Sequence, residues 1–213
     1  MPNVSLWTKV GVAIQSALGA AKTITAITKA NPGVASSTSH GFANGAFVLL
    51  TIQGMTQLDN RVFRVANVAA GTFELEGENT SSYDTFTSGT AEEITFGTNL
   101  ATATTLNASG GEYDYEDTTT IHDSVRSQIP TLAAPVNYTF ENIWDVADAG
   151  LIALKSASDN KVKRAVRLTF SNAQKVLFNG YIGATLLPVG TAPGKVTTPV
   201  TIAMNGRPTV YAT

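Results

Sequence analysis

The chain has 213 residues, enough for one large core or two small ones, with 43 % apolar residues, 18 glycines and only 14 % charged residues. Average soluble domains carry roughly 25 % charged residues, so a surface this short of charge points to a chain covered largely by copies of itself. A net charge of −2 gives no basic balance for nucleic-acid binding, and zero cysteines exclude disulfide scaffolds, thiolate zinc sites and cysteine nucleophiles.

In chain order, the start alternates. Val4, Leu6, Val10, Val12 and Ile14 share even positions while Ser5, Lys9 and Gln15 fall on odd ones, which predicts a strand over residues 4–15. The small residues from Val10 to Ala21 loosely imitate a signal peptide, but the period of two favours the strand. No run of 18 apolar residues occurs anywhere, so no transmembrane helix is expected.

From residue 23 to 95 short β-rich runs, ITAIT, AFVLLTI, RVFRVANV and TFELE, alternate with Gly, Asn and Pro turns and a Ser/Thr-rich stretch from Asn79 to Gly89. That spacing predicts a small sandwich or barrel that closes on itself. The strand at residues 4–15 then has its sheet partners beyond residue 96. The expected organisation is a core of residues 1–22 and 96–213 with residues 23–95 inserted.

After a Thr/Ala-rich strand comes an acidic run, Glu112, Asp114, Glu116, Asp117 and Asp123, and then an aperiodic loop or arm over residues 125–137. Within residues 142–155, Ile143, Ala147, Leu151 and Leu154 recur at spacings of three and four, predicting a helix with Asn142 as N-cap. Residues 162–170 and 175–183 alternate as a strand hairpin about Ser171–Gln174, giving that helix a sheet to lie on, with Ile143, Trp144, Leu151 and Leu154 as its anchors. Residues 199–211 read as a last strand pair turning at Asn205-Gly206.

Chemistry is scarce. His40 sits in a turn, and His122 next to Asp123 and Ser124 offers no triad, because neighbours on a strand point to opposite faces. The acidic run has hard oxygen ligands without an EF-hand glycine, and a solvated acidic surface is the favoured reading. Lys155, Lys161, Lys163, Arg164, Arg167 and Lys175 cluster about the helix end and hairpin without interleaved aromatics, which favours strand edges or contacts between subunits over a nucleic-acid patch. No catalytic, cofactor or metal residue is assigned.

Four segments in order, DTTTIHDSVRSQIP, TFENIWDVADAGLIAL, KRAVRLTFSNAQKVLFNGYIG and VTTPVTIAMNGRPTVY, resemble the major tail tube proteins of long-tailed bacteriophages. The inserted stretch, with SHGFANG, GMTQLDNRVFRVANV and TFELEG, resembles a small β module of phage structural proteins that has been likened to a domain of ubiquitin-activating enzymes, and this implies no ubiquitin chemistry. The resemblance implies a mainly β fold, a tail-tube-type β-sandwich or barrel with one flanking α-helix plus a small inserted all-β domain. It also implies a structural, non-enzymatic virion protein. Six copies would form a ring and rings would stack, in the host cytoplasm, into a conduit for double-stranded DNA that contacts other tail proteins and no membrane. The alternative is a decoration or receptor-binding module acting through the inserted domain, with a hydrolase more remote. For the tube, a channel that lets DNA slide is expected to be lined by carboxylates, Thr and Ser. Asp114, Glu116, Asp117 and Asp123 are candidates for the lumen or for an adjacent ring, and Lys161, Lys163, Arg164 and Arg167 are expected to face a neighbouring subunit or the exterior.

Overall fold

A computed structural model describes residues 7–212. The described residues are mainly β with one α-helix, as the sequence periodicities predict. In order, the strands are β1 (Gly11–Ile14), β2 (Ala17–Leu18), β3 (Lys22–Ile24), β4 (Ala26–Ile27), β5 (Val34–Ser36), β6 (Phe47–Gln53), β7 (Val62–Ala69), β8 (Thr72–Leu75) and β9 (Ser88–Thr95). They continue with β10 (Thr98–Asn99), β11 (Ala103–Ser109), β12 (Tyr113–Asp117), β13 (Gln128–Ala133) and β14 (Asn137–Ile143). After α1 (Ala149–Asp159) come β15 (Lys163–Thr169), β16 (Lys175–Ala184) and β17 (Thr197–Tyr211).

The first sheet is antiparallel in the order β10-β1-β15-β16-β17-β14-β11. Its two ends curl toward each other: Trp7, Lys9, Val10 and Val12 line one cleft of about 470 Å³ with Ala103–Asn107, Phe140 and Leu168. The concave face buries Val12, Ile14, Phe140, Val166, Leu168, Phe178, Val200 and Ile202, and α1 closes it with Leu151, Leu154 and Ala157. The spacing of those three helix residues makes one stripe along α1. Gly150 sits so close to β10 that a Cβ there would lie 2.7 Å from the Asn99 carbonyl oxygen, which lets the first helical turn rest on the strand.

The helix begins later than its apolar spacing predicts. Residues 137–143 pair with β17 and β11 as a strand, and Asn142 is buried in that strand and caps nothing. The cap is Asp148, whose carboxylate accepts the Leu151 N–H at 2.8 Å. Tertiary pairing on both sides of β14 outweighs a helical spacing that Ile143 and Ala147 satisfy only by coincidence. At the other end, Lys161 adopts a left-handed φ of 53° and donates to Ser158 while Val162 donates to Ala157, a Schellman-type stop.

Two further corrections concern strands. β1 is shorter than residues 4–15: Val4, Ser5 and Leu6 lie outside the described residues, and Lys9, at a φ of 60°, interrupts the extended backbone before Gly11. Gln15, expected to face solvent, is buried because its Oε1 accepts the Ala165 N–H at 3.0 Å. At the C-terminus, Asn205-Gly206 is no hairpin turn. β17 is one long strand whose two halves both pair with β16, and Gly206, at a φ of 82°, makes a bulge.

The second sheet runs β2-β9-β6-β7-β8-β5-β4, with β3 also pairing β9, around its own cluster that includes Leu50, Met55, Leu58, Phe63, Val65, Phe73 and Leu75. β5 and β9 were not evident as strands, since β9, SGTAEEIT, buries only Ala91 and Ile94. The chain enters and leaves this sheet side by side: Ser16 N–H donates to the Thr95 carbonyl and Gly97 N–H to Ser16 Oγ.

Candidate assembly surfaces

Side chains of directly paired residues share a face, so the register of the first sheet sorts its convex side into rows. Three rows run Ala165–Asn179–Asn205, Arg167–Leu177–Thr209 and Thr169–Lys175–Tyr211. They lie against the second sheet, where Ala165, Leu177 and Tyr211 form a buried cluster with Leu49, Val62 and Ile94. Tyr211 Oη accepts the backbone N–H of Arg64 at 2.7 Å, and the Arg64 guanidinium lies over the Tyr211 ring while pairing with Glu76. Burial pushes the Tyr211 hydroxyl up to about 12, and the hydrogen bonds that Arg64 donates to the Glu76 carboxylate are the main reason that it holds its proton more firmly than usual.

The basic cluster separates along this architecture. Lys163 donates to Asn60 Oδ1 at 2.8 Å and lies over the Tyr181 ring, so it ties the two sheets together. Arg167 sits between the rings of Phe47 and Phe96, with centroids 5.5 and 4.8 Å away, and desolvation lowers its pKa. Arg164, half-buried, alternates to the opposite face, and Lys161 is the exposed residue after the helix cap. Of the four residues expected to face a neighbouring subunit or the exterior, Lys163 and Arg167 therefore lie between the two sheets of the same chain. The missed members of that interface are Phe47, Phe96, Asn60 and Tyr211. A signal for them existed in Val176-Leu177-Phe178, since three successive apolar residues in a strand need a cover on both faces.

Beyond the row Lys163–Tyr181–Ala203 the same convex side is uncovered. Its rows are Ser109–Asn137–Ala203, Asn107–Thr139–Thr201–Gly183 and Thr105–Glu141–Pro199. These side chains are small and neutral apart from one carboxylate, Glu141, and none is Lys or Arg. β11 is the last strand of the sheet, so one whole side of its backbone is an open edge.

The acidic run and the expected loop form a β-hairpin arm, β12 with β13, leaving β11 and rejoining at β14; all eleven strand residues are exposed. Glu112, Asp114, Glu116 and Asp117 lie along it, as do Tyr113, Tyr115, Ile129 and Leu132, and Ile121 and Val125 stand at the tip. Hydrogen bonds from Thr119 and Thr120 hold Asp117 and Asp123 below the usual carboxylate range. Asp123 thus turns to Thr120 and not to His122. No group of three or more His, Asp or Glu able to hold a metal occurs among the described residues. His40 is buried, with Nδ1 accepting the Phe42 N–H and Nε2 donating to the Ala69 carbonyl, a structural role.

Of the expected helix anchors, Leu151 and Leu154 are fully buried, whereas Ile143 and Trp144 precede the helix and are exposed. Ile143 points to the convex side because Asn142 takes the buried position, and Trp144 instead braces the following loop, its Nε1 donating to the Leu186 carbonyl at 2.9 Å and its N–H to Val196 at 3.0 Å.

No helix among the described residues is long and apolar enough to cross a membrane. No curated protein matches the chain. The family described as phage tail tube protein, TTP, matches residues 53–213, which takes in the second half of the second sheet, the hairpin arm and every strand of the first sheet from β10 onward. With three quarters of its length matched, and with the β-rich, one-helix architecture expected from the four segments, the chain belongs to the phage tail tube protein family, whose role is structural in the virion tail.

Proposed function

We propose that this chain assembles into rings, six copies to a ring, that stack into a tube through which double-stranded DNA passes, and that residues 1–22 with 96–213 build the ring while residues 23–95 form an inserted domain on its outer side. The observation that carries this reading is the uncovered half of the convex sheet face, free of Lys and Arg and continuous with the open edge of β11. An open strand edge invites pairing with a neighbouring copy, and repetition of that pairing round a closed ring leaves no edge. Strands β11, β14 and the adjoining parts of β17 and β16 would then form the channel wall. Thr, Asn and Ser with a single Glu141 offer no cation to hold phosphates, which suits a conduit through which DNA slides. The insertion is supported by the adjacent entry and exit at Ser16 and Thr95 and by the separate apolar cluster of the second sheet.

The hairpin arm supports stacking. A two-stranded hairpin with no core of its own is marginal in water, and this one displays six large apolar residues. Its acidic residues, Asp114, Glu116, Asp117 and Asp123, belong on this reading to contact with an adjacent ring. Electron microscopy of the purified protein tests the function: hollow tubes with the second sheet outside and β14 inside are expected. Monodisperse monomers or trimers would overturn it in favour of a decoration protein.

A further inference from the structure

The hairpin arm and a second exposed apolar surface lie at opposite ends of one strand. β14 begins at Asn137, where the arm rejoins the sheet, and ends at Ile143, about 20 Å away at the rise of a β-strand. At that far end Ile143, Trp144, Val146, Leu187, Val189 and Val196 are all exposed. They form one surface because Trp144 hydrogen-bonds both Leu186 and Val196, Ile143 pairs with Thr197, and Thr197 bridges to Val189.

We infer that this Trp144 surface is the receptor for the hairpin tip of a second copy, so that successive rings join head to tail. The inference rests on the stacked-tube reading above and names the contact that reading requires. Three features favour this occupant. The two surfaces are unlike and lie at opposite ends of β14, the arrangement of a heterologous contact that propagates without closing. Both are apolar where they are most exposed: Ile121 and Val125 on the tip are 97 % and 76 % exposed, and Val146 and Leu187 on the receptor are 63 % and 65 % exposed. Each surface also carries one acid and one base at its flank, so opposite charges are available on both sides of the contact. The tip carries Asp123 and Arg126, the receptor carries Lys195 beside Val196 and Asp145 beside Trp144, and none of the four is in an ion pair among the described residues. From Glu112 to Ile121 the arm spans about 30 Å if extended, and every residue of its two strands is exposed, which leaves it available to a second copy. A single tip contact is small, and repeating it around a ring makes the junction durable by multivalency.

The chain has no cysteine, which makes engineered thiols unambiguous. Val125→Cys and Val196→Cys are prepared separately, assembled as a mixture and oxidised mildly. Disulfide-linked dimers are expected from the mixture and not from either variant alone. The double variant V125C/V196C is expected to give a ladder of trimers and higher species, because each copy both gives and receives. Ile121→Cys with Val189→Cys is a second pair should either first site disturb folding. Tubes that form normally by electron microscopy while no mixture cross-links would overturn this contact and leave the tube reading intact. A ladder that stops at dimer would overturn head-to-tail order. Soluble monomer with neither tubes nor cross-links would overturn both.

Discussion

The convex face of the first sheet is one continuous surface with two fates. In the half nearer β15 it is dry, with Ala165, Leu177 and Tyr211 under the second sheet; in the half nearer β11 it is bare, with Thr139, Thr201 and Glu141 facing outward. Both halves belong to the same strands, since β16 and β17 run through each. The difference is written in the side chains alone. Where an apolar partner is permanent, one strand carries apolar residues on both faces, and where the face is kept free, small polar residues take the alternate positions. The boundary is Lys163 with Tyr181, a cation lying over a ring, and its amine is held by Asn60 of the second sheet.

The largest expected effect comes from breaking the dry half. Leu177 is fully buried between the sheets, and Leu177→Ala should cost about 2–5 kcal/mol, read from urea unfolding. If the second sheet were a loosely tethered appendage, the same change would leave the first sheet's stability nearly untouched, so the experiment decides whether the two sheets unfold as one.

Gly206 comes next. A Cβ there would lie 2.8 Å from the Asp59 carbonyl oxygen and 2.9 Å from that of Asn60, and φ is left-handed, so Gly206→Ala should cost about 1–3 kcal/mol. The bulge it makes lies in the covered half of β17, between the rows of Asn205 and Thr209. A neutral outcome in thermal unfolding would show that the second sheet stands further off than these contacts require.

Tyr211 gives a smaller effect with a pH signature. Its neutral form is favoured in the folded state, so the stability it contributes is complete below the unfolded value near 10 and is lost as pH rises from there through about 12. Tyr211→Phe should cost about 1–2 kcal/mol at neutral pH, because the Arg64 N–H loses its acceptor, and should flatten that alkaline decline. Denaturant midpoints measured between pH 9 and 12 check both parts, and an unchanged slope in the variant would assign the decline to other groups.

The same contrast explains what could be read from the sequence. The mainly β fold, the hairpin of residues 162–183 and the helix stripe at Leu151 and Leu154 were legible because periodicity reports burial on one side. Three things were not. Asn142 and Ile143 fit a helical spacing while belonging to a strand, since pairing with β17 and β11 is invisible locally. Asn205-Gly206 carries a strong turn signal, yet one partner strand, β16, holds both sides of it and turns it into a bulge. The role of Lys163 and Arg167 depended on which surface would lie opposite them, and those partners, Asn60, Phe47 and Phe96, are distant in sequence.

The smallest effect on stability is expected in the bare half, and there it separates folding from function. Thr139 lies mid-row between Asn107 and Thr201, so Thr139→Lys should change unfolding free energy by only about 0.5–1 kcal/mol. In the proposed ring it places a cation in the channel from every copy. Each phosphate contact adds about 0.9 to the slope of log affinity against log salt, so several Lys per ring should turn a passive wall into one that grips DNA steeply at low salt. Open-ended tubes of the variant, mixed with short duplexes and treated with nuclease, should protect DNA at low salt and release it as salt rises, whereas the parent protein protects none. Protection that is equal in both proteins would place this face away from the channel, and the bare half would then need another partner to explain why it carries no apolar cover.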